Sequence, residues 1–521
     1  MKRVVLLEND KYIDKLKKDD LIIAFYPDIY VTLLKKGFNV ISIDKFFNPN
    51  DHFEVSKKSD KLTQKLLFQL KQKNIFKTKT ALNDFEFYTK VLFSYVYMLD
   101  IVLKKVQKKY KNIKIFYQKN IKVDLNTLPL ISSNEEILGF FIDKINIQYK
   151  KPNKIISKII NFISNKQLEK YENIIFTSFQ NGNLRKYLKT LPYTPIQIRI
   201  SDKNQFKELV FSLRNYFKNE KIVTFTSDTK LFDIKFELQE DEKRIFNIVK
   251  HKVDILFAYL YKLENTPLPK GDFKILSISN LGMLSILAEK SNNDSYLLAH
   301  GTFVLPKENQ AKIEQIYSAK GQLLSDTFKY KLIQSPYALD FFESKKNLIE
   351  TFPIAWGEKF EKTANKNKKI VVLHAATPKL LLRPIIFETQ FEYVNSIIEI
   401  AKVLENENVE FLVRFRPMIN ISISTMEYLL KDFKNTKIVT DKSFNYWLDK
   451  SDVLISYSST TIEEAILNEK RVIQYSKIYR HIPDIPWSDN INELKKMILN
   501  YDKLEYNFKS FKNKNKFVIK G

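Results

Sequence analysis

The chain has 521 residues, enough for two to four domains with a sizeable core, and its 86 Lys and Arg against 60 Asp and Glu give a formal net charge of +26. Its 44% hydrophobic content excludes a disordered or fibrous protein, and the absence of cysteine excludes thiolate metal sites, cysteine nucleophiles and disulfides. There are nine glycines, where an average usage of about 7% would give roughly 36, and their placement excludes the glycine-rich motifs of dinucleotide-binding and P-loop proteins.

The start of the chain does not predict a targeting segment. In MKRVVLLENDKY the apolar run is only VVLL before Glu8 and Asp10, which is too short for a signal peptide and predicts a first strand. The longest apolar stretch, Val91–Leu103, contains Asp100 and falls short of the roughly 20 residues of a membrane span. We therefore expect a cytoplasmic protein that contacts a membrane, if at all, peripherally through its basic surface.

Short β-branched and aromatic runs alternate with longer helical patterns along the chain. Helix-length segments include Asp84–Lys109, Asp241–Leu263 and Glu388–Leu404. Such alternation is typical of βαβ units in mostly parallel sheets, so the pattern predicts an α/β fold. The strand candidates are Arg3–Leu7, Leu21–Phe25, Val40–Ile43, Ile113–Tyr117, Ile174–Thr177, Ile222–Phe225, Ile275–Ile278, Tyr296–Ala299, Ile370–Leu373, Phe411–Arg414, Lys437–Val439, Val453–Ser456 and Val472–Tyr475.

The clearest domain boundary is Lys359–Lys369, a polar, lysine-rich stretch just before a strong strand. It predicts an N-terminal α/β domain with helical insertions over residues 1–358 and a compact C-terminal α/β domain over residues 359–480. Residues 481–521 are expected to form a helix and a basic tail that crosses back to the N-terminal domain.

The most informative segment is a strand–turn–helix pattern in the C-terminal domain. The buried strand Val453–Ser456 leads to four consecutive hydroxyl residues, Ser458 to Thr461, and then to a helix with Glu463 and Glu464 in its first turn. Hydroxyls and free backbone N–H groups at the positive end of a helix bind phosphate, and open α/β sheets bind ligands at such strand ends. An ordinary helix cap is the alternative, but four hydroxyls exceed what capping needs.

The segment SDVLISYSSTTIEEAILNEKRVI resembles the nucleotide-sugar half of GT-B glycosyltransferases of bacterial surface-polysaccharide synthesis. These include the CDP-glycerol glycerophosphotransferases, the polysialyltransferases and the capsule Kdo transferases. The resemblance implies a GT-B-like fold, with two Rossmann-like parallel-sheet domains facing a central cleft. It also implies that Ser458, Ser459 and Thr460 hold the donor phosphate, and that Glu464, with Glu463 close behind, contacts the ribose.

The strand that opens the C-terminal domain resembles the same families at its end. Its last residues, LHAATPK, are followed by Arg383 and resemble the small-Pro-Thr-basic loop that faces the donor. The resemblance makes Thr377, Lys379 and Arg383 candidates for phosphate binding. His374 is a candidate for contacting donor or acceptor because it is a second histidine at a strand end.

The next strand, VEFLVRFRP, departs from the family pattern. It ends in Arg416-Pro417, where these families usually carry His-Pro. An arginine can bind phosphate through two parallel hydrogen bonds, so Arg416 is a donor-binding candidate, but proton donation by the family's histidine does not carry over. Arg414 is interpreted as a solvent-facing residue at the strand end.

The candidate catalytic base lies in the N-terminal region, where YLLAHGTFVLPK places His300 at the end of a strand. A histidine there can act as a general base near neutral pH, and the teichoic-acid polymerases carry a similar His-Gly-Thr. Glu8 and Asp10, which follow the first strand, are alternative catalytic candidates, because inverting GT-B enzymes often use a carboxylate of the N-terminal domain.

The resemblance covers Ile370–Ser476 and, weakly, Ala299–Trp356. It implies transfer of a sugar or related group from a nucleotide-activated donor, such as a CMP- or UDP-sugar, to a hydroxyl of a surface glycan or lipid-linked acceptor. No cofactor or obligatory metal is expected, and the lysines do not cluster with aromatics as in nucleic-acid-binding proteins. A non-hydrolysing sugar-nucleotide epimerase and a non-catalytic glycan-binding or export protein remain alternatives.

Overall fold

The computed structural model describes residues 3–118, 122–124, 136–142, 146–148, 153–178, 182–201, 205–299, 301, 303–360, 369–376, 389–415, 420–457, 459–477, 481–507, 509 and 515–520. Within these ranges the strand pairs of the sheets are parallel, and most connections between them contain helices. The α/β class predicted from the alternation of strands and helices is confirmed.

The first sheet has four strands in the order β3-β2-β1-β4. Its strands are β1 (Val4–Leu7), β2 (Leu21–Ala24), β3 (Asn39–Ser42) and β4 (Ile113–Ile115), and its helices are α1 (Pro27–Lys35), α2 (Pro49–Gln72) and α3 (Lys79–Lys109). Asp100, the acidic residue of the longest apolar stretch, lies on α3 and forms an ion pair with Arg244 at 2.8 Å. Most of the apolar side chains of this stretch are buried in the protein core. No helix among the described residues has the length and hydropathy to cross a bilayer. Two short strands, β5 (Lys122–Asp124) and β6 (Asn146–Gln148), pair with each other.

The second sheet has seven strands in the order β13-β12-β11-β10-β7-β8-β9. It contains α4 (Lys154–Leu168), β7 (Ile174–Thr177), α5 (Gly182–Leu188), β8 (Thr194–Ile200), α6 (Gln205–Phe217), β9 (Ile222–Phe225), α7 (Glu240–Asn265), β10 (Phe273–Ser277), α8 (Met283–Lys290), β11 (Ser295–Leu298), α9 (Asn309–Gln322), β12 (Tyr330–Ile333) and β13 (Leu348–Glu350). Taken in chain order, its first six strands have the 3-2-1-4-5-6 arrangement of a Rossmann sheet.

The third sheet has six strands in the order β16-β15-β14-β17-β18-β19. It contains β14 (Ile370–Ala376), α10 (Gln390–Leu404), β15 (Val409–Phe415), α11 (Ile423–Leu430), β16 (Thr436–Ile438), α12 (Phe444–Lys450), β17 (Val453–Ser456), α13 (Thr461–Leu467), β18 (Arg471–Tyr475), β19 (Trp487–Ser488) and α14 (Ile491–Leu499). This is again the 3-2-1-4-5-6 order, so the strand order reverses between β14 and β17. The second and third sheets are the two Rossmann-like sheets that the resemblance implied.

The third sheet contacts both of the others. On one side Asp28, in the first turn of α1, accepts hydrogen bonds from the backbone N–H (2.8 Å) and hydroxyl (3.0 Å) of Ser422, the N-cap of α11. On the other side Ser335, which follows β12, donates a hydrogen bond to Glu463 of α13. Asp28 thus links α1 to the N-cap residue of a helix that belongs to another sheet.

The end of the chain packs on the second sheet. Tyr187 donates a hydrogen bond to the carbonyl of Phe517 at 2.8 Å, and the backbone N–H of Phe517 donates to the hydroxyl of Thr351 at 2.8 Å. Ile519 is fully buried in a cluster that includes Trp356. Residues 515–520 therefore complete the core of a sheet that lies far earlier in the sequence.

Each of the strand candidates corresponds to a strand of the structure, and Ile174–Thr177, Ile222–Phe225 and Val453–Ser456 match to the residue. Strands β5, β6, β8, β12, β13 and β19 were missed. In β8 the sequence TPIQIRI contains Pro195, and a proline within a short run argues against a central strand. The others have only two to four residues each, too few to show a clear period.

Candidate functional site

The candidate site lies at the carboxyl edge of the third sheet, where the strand order reverses between β14 and β17. Ala375 of β14 pairs in register with Arg414 of β15, and Ser456 ends β17 on the other side. Ligands of open α/β sheets bind in the crevice outside such strand ends. The site is therefore built from three neighbouring strands and from α13, which follows β17.

Two hydroxyls fix the turn between β17 and α13 to the central strand. Ser456 donates a hydrogen bond to the carbonyl of Ala375 at 2.6 Å, Thr461 donates to the same carbonyl at 3.1 Å, and the two hydroxyl oxygens lie 3.0 Å apart. Part of the hydroxyl-rich segment thus holds the start of α13 against β14. Thr461 has a positioning function that its place in the sequence did not reveal.

The predicted phosphate ligands Ser459 and Thr460 lie at the start of α13. The hydroxyl of Ser459 accepts a hydrogen bond from the backbone N–H of Thr461 at 3.3 Å, and Thr460 donates to Glu464 at 3.4 Å. Both residues are only partly buried. Their hydroxyls are therefore at the surface of the site.

Glu464 and Arg414 form the charged part of the site. Burial raises the pKa of Glu464 to about 7, although a hydrogen bond from Thr460 and the charge of Arg414 oppose the shift. Burial also lowers the pKa of Arg414, while the charge of Glu464 opposes this change. Each charge thus partly offsets the desolvation of the other.

The position of Arg414 in this site was not predicted from the sequence. Arg414 is half-buried rather than solvent-facing, and its guanidinium carbon lies 5.8 Å from the ring centre of Phe444. Its Nε has no hydrogen-bond partner among the described residues. The sequence could have indicated this position, because alternate residues of a strand lie on the same face. In VRFRP, Arg414 precedes the donor-binding candidate Arg416 by two residues.

Glu463 and Glu464 are separated by the helix although they are adjacent in sequence. Glu463 is buried and accepts its hydrogen bond from Ser335 of the second sheet, whereas Glu464 interacts with Thr460 and Arg414. Consecutive residues of a helix point about 100° apart. The structure therefore brings Glu464, and not Glu463, next to the predicted phosphate ligands.

His374 lies in the interior of the third sheet. It is buried, with its ring centre 5.9 Å from that of Tyr393 and 6.5 Å from that of Phe411. Burial lowers its pKa to about 4, so the imidazole is neutral at pH 7. Within the described part of the chain, its Nδ1 has no hydrogen-bond partner. The structure does not bring His374 together with Glu464 and Arg414, and its contact with a ligand stays a prediction.

Glu8 and Asp10 belong to the first sheet, not to the sheet that leads to His300. Glu8 is buried after β1 and accepts a hydrogen bond from the backbone N–H of Leu138 at 2.9 Å. Asp10 is exposed in the first turn of a short 3-10 helix, Asp10–Lys15. Several other predicted residues lie outside the described residues and are not placed: His300, Thr377, Lys379, Arg383, Arg416 and Ser458.

Within the part of the chain that the structure describes, no group of three or more His, Asp and Glu side chains is arranged to hold a metal ion. The arrangement that is described supplies an arginine, hydroxyls and a carboxyl group that titrates near neutral pH.

No protein-family model matches this chain, and no curated protein is significantly similar to it in sequence. Among solved structures the chain is similar to the wall teichoic acid polymerase TagF, with 12% identity and a TM-score of 0.33 over 67% of this chain and 85% of that one. It is similar to UDP-GlcNAc 2-epimerase from Neisseria meningitidis, with 11% identity and a TM-score of 0.31 over 63% and 91%. The match to TarM, at 12% identity and a TM-score of 0.30, covers 44% of this chain and only 47% of TarM.

Proposed function

We propose that this chain is a glycosyltransferase, which moves a sugar or related group from a nucleotide-activated donor to a hydroxyl of a surface glycan or lipid-linked acceptor. The observation that supports this proposal is the convergence of Arg414, Thr460 and Glu464 at the switch point of a 3-2-1-4-5-6 sheet. Perturbed ionisable groups at such a crevice are a physical indication of a functional site.

In this proposal the donor is a CMP- or UDP-sugar, and its phosphate lies against Ser459, Thr460 and the guanidinium of Arg414. Arg414 suits this role because it is partly desolvated and because no described residue forms a hydrogen bond with its Nε. A guanidinium binds phosphate through two parallel hydrogen bonds and is less strongly hydrated than an ammonium. Thr377, Lys379, Arg383, Arg416 and Ser458 are proposed as further donor ligands on the sequence resemblance.

Glu464 is proposed to accept a hydrogen bond from a ribose hydroxyl of the nucleotide. The carboxyl group of Glu464 has a pKa of about 7 and is adjacent to Arg414. A hydroxyl that donates to the ionised carboxylate therefore has a large effect on the charge of Glu464 near neutral pH. Glu463 is a weaker candidate because its carboxylate is engaged with Ser335.

The proposed reaction needs a base on the acceptor side and neutralisation of the leaving phosphate. The acceptor oxygen bonds to the sugar carbon that carries the nucleotide, the bond from that carbon to the phosphate oxygen breaks, and the acceptor proton passes to His300. The nucleotide leaves with the bonding pair, and its charge is stabilised by Arg414 and the other basic residues without a metal. Glu8 and Asp10 are the alternative bases.

The first test is nucleotide binding. UDP, CMP, CDP, GDP and ADP are added separately to the full-length protein and thermal unfolding is followed; a nucleotide at about 100 times its Kd should stabilise the fold by about 2.7 kcal/mol. Arg414→Met should bind the active nucleotide at least about tenfold more weakly, whereas the control Arg214→Met, on the exposed face of α6, should bind like wild type. Lack of stabilisation by every nucleotide would contradict the donor site.

The second test separates transfer from its alternatives. With the nucleotide sugar that binds, a transferase releases nucleotide only when an acceptor hydroxyl is present, whereas an epimerase converts the nucleotide sugar without an acceptor. His300→Ala should retain nucleotide binding and lose transfer. Nucleotide-sugar binding with neither reaction would favour a non-catalytic glycan-binding protein.

A further inference from the structure

Helix α6 has its apolar residues on the outside. Its buried side chains are polar: Glu208, which forms an ion pair with Arg199, and Ser212 and Asn215. The exposed ones are Phe206, Val210, Leu213 and Phe217, with exposed fractions of 66% and 76% for the two phenylalanines. Positions i, i+4, i+7 and i+11 form one stripe along a helix. The stripe points away from the sheet.

Helix α4, which packs against α6, has a second such stripe. One side of α4 covers the edge strand β9: Ser164 donates to the carbonyl of Thr224 at 2.5 Å, and Asn161 donates to the carbonyl of Thr226 at 2.9 Å. The opposite side exposes Ile155, Ile159 and Phe162. The inward side of α4 already buries Ile160, Ile163 and Leu168 beside these polar contacts, so Ile155, Ile159 and Phe162 form a second apolar stripe that faces outward.

The charges that accompany these stripes are almost all basic. The sequence of α4 contains no acidic residue, and the only one in α6 is the buried Glu208. The exposed cations of this surface are Lys154, Lys158, Lys166, Lys207, Arg214 and Lys218. Two nearby acids each pair with one of these lysines, Asp228 with Lys154 at 3.5 Å and Glu169 with Lys166 at 2.8 Å.

We propose that this α4/α6 surface, formed by the two apolar stripes and their flanking cations, docks on an anionic lipid bilayer. Outward aromatic and aliphatic side chains with lysine and arginine beside them are the features of helices that lie in a membrane interface. The charge decides against a second copy of this chain, because a symmetric contact would place like-charged surfaces against each other. Singly scattered surface hydrophobics are ordinary, whereas seven exposed apolar side chains in two stripes on adjacent helices indicate an interaction surface.

This inference rests on the proposed function, in which the acceptor is lipid-linked, and adds the surface through which the protein reaches it. The two are separable in experiment. Vesicle binding is measured without nucleotide, and nucleotide binding is measured without lipid.

The test is co-sedimentation of the full-length protein with vesicles. Vesicles of equal parts phosphatidylcholine and phosphatidylglycerol should bind the wild type, and pure phosphatidylcholine should bind it at least about tenfold more weakly. Phe162→Ser combined with Phe217→Ser should weaken binding to the anionic vesicles by about tenfold or more. The matched control is Phe68→Ser on α2, because Phe68 is 61% exposed and Phe162 is 62% exposed.

The contribution of the cations is tested with two further variants that change the net charge equally. Lys207→Gln, Arg214→Gln and Lys218→Gln together should weaken binding by roughly tenfold or more and reduce its dependence on salt. Lys57→Gln, Lys71→Gln and Lys73→Gln, which change the net charge equally at exposed positions of α2 and its C-terminus, should leave binding near the wild-type value. All variants should retain the thermal stability and nucleotide binding of the wild type.

Three results would overturn the proposal. The first is failure of the wild type to bind the anionic vesicles. The second is equal loss of binding in the α4/α6 variants and the α2 controls, which would indicate a diffuse charge effect. The third is a dimer in light scattering that the Phe162 and Phe217 substitutions dissociate, because the surface would then be an interface between two copies.

Discussion

Ser335, in the loop after β12, donates a hydrogen bond to the buried carboxylate of Glu463 in the first turn of α13. The two residues belong to different sheets, and α13 also carries Glu464 on the candidate donor site. The relative position of the second and third sheets is thus coupled directly to the helix that begins at that site.

We expect Ser335→Ala to destabilise the protein by about 1–3 kcal/mol, because the substitution removes one donor from a buried carboxylate. Ser396→Ala is the control: its hydroxyl donates to the carbonyl of Tyr393 in its own helix, and the cost should stay within about 0.5 kcal/mol. The measurement is urea unfolding of both variants. Equal costs for the two serines would show that the contact between the sheets contributes little.

Nucleotide binding should depend on pH through Glu464. The carboxyl group has a pKa of about 7, so it is mostly protonated below that pH and mostly ionised above it. A ribose hydroxyl donates to the ionised form, and affinity should therefore rise as the pH passes from about 6 to about 8. Calorimetric titration should show this rise for the wild type and a flat profile for Glu464→Gln. An affinity that falls with pH in the wild type alone would mean that the protonated carboxyl group is the one that binds.

The third sheet was largely predictable, and so was the strand–turn–helix arrangement at its carboxyl edge. Strand Val453–Ser456 and the hydroxyls after it are local features: a short β-branched run, then capping residues, then a helical pattern. The position of Arg414 at the site, level with Ala375, could not be predicted from the residues around it in the sequence. Predicting it requires knowing that β15 lies beside β14, and strand neighbours are set by long-range packing.

The α4/α6 surface could not be predicted from periodicity alone. The spacing of Phe206, Val210, Leu213 and Phe217 predicts an amphipathic helix, and the usual expectation places such a stripe in the core. The structure places it outside because Glu208 is needed to pair with Arg199 of β8, and the helix has only one face toward the sheet. Which face of α6 is buried therefore depends on Arg199, a residue outside the helix.

Within the C-terminal tail, Ile519 should contribute more to the free energy of unfolding than its neighbour Val518. Ile519 is fully buried against the second sheet, whereas Val518 is half-exposed. We expect Ile519→Ala to cost roughly 2–4 kcal/mol, and Val518→Ala to cost less than about 0.5 kcal/mol. Urea unfolding of the two full-length variants measures the difference. A small and equal effect of both substitutions would mean that residues 515–520 leave the sheet readily in solution.

Asp84, on α3, is a buried acid that binds the start of another helix. Its carboxyl oxygens accept hydrogen bonds from the backbone N–H of Gly282, the N-cap of α8, at 3.0 and 3.3 Å. Burial raises the pKa of Asp84 well above its usual value. In the unfolded chain the group ionises near about pH 3.9, so the folded state holds the proton to higher pH, and the stability it provides in acid is lost as the pH rises from there.

We therefore expect Asp84→Asn to be neutral or stabilising at pH 7, because the amide keeps an oxygen for Gly282 and never ionises. Asp84→Ala removes the acceptor and should cost about 1–3 kcal/mol. Asp100→Asn on the same helix is the contrast: its pairs with Arg244 and Lys104 outweigh burial and lower the pKa of Asp100, so this variant should destabilise at neutral pH and lose its effect in acid. Urea unfolding between about pH 2 and about pH 8 distinguishes the two slopes, because the effect of Asp100 is lost only below about pH 4. If Asp84→Asn costs as much as Asp84→Ala at pH 7, the ionised carboxylate is what stabilises α8.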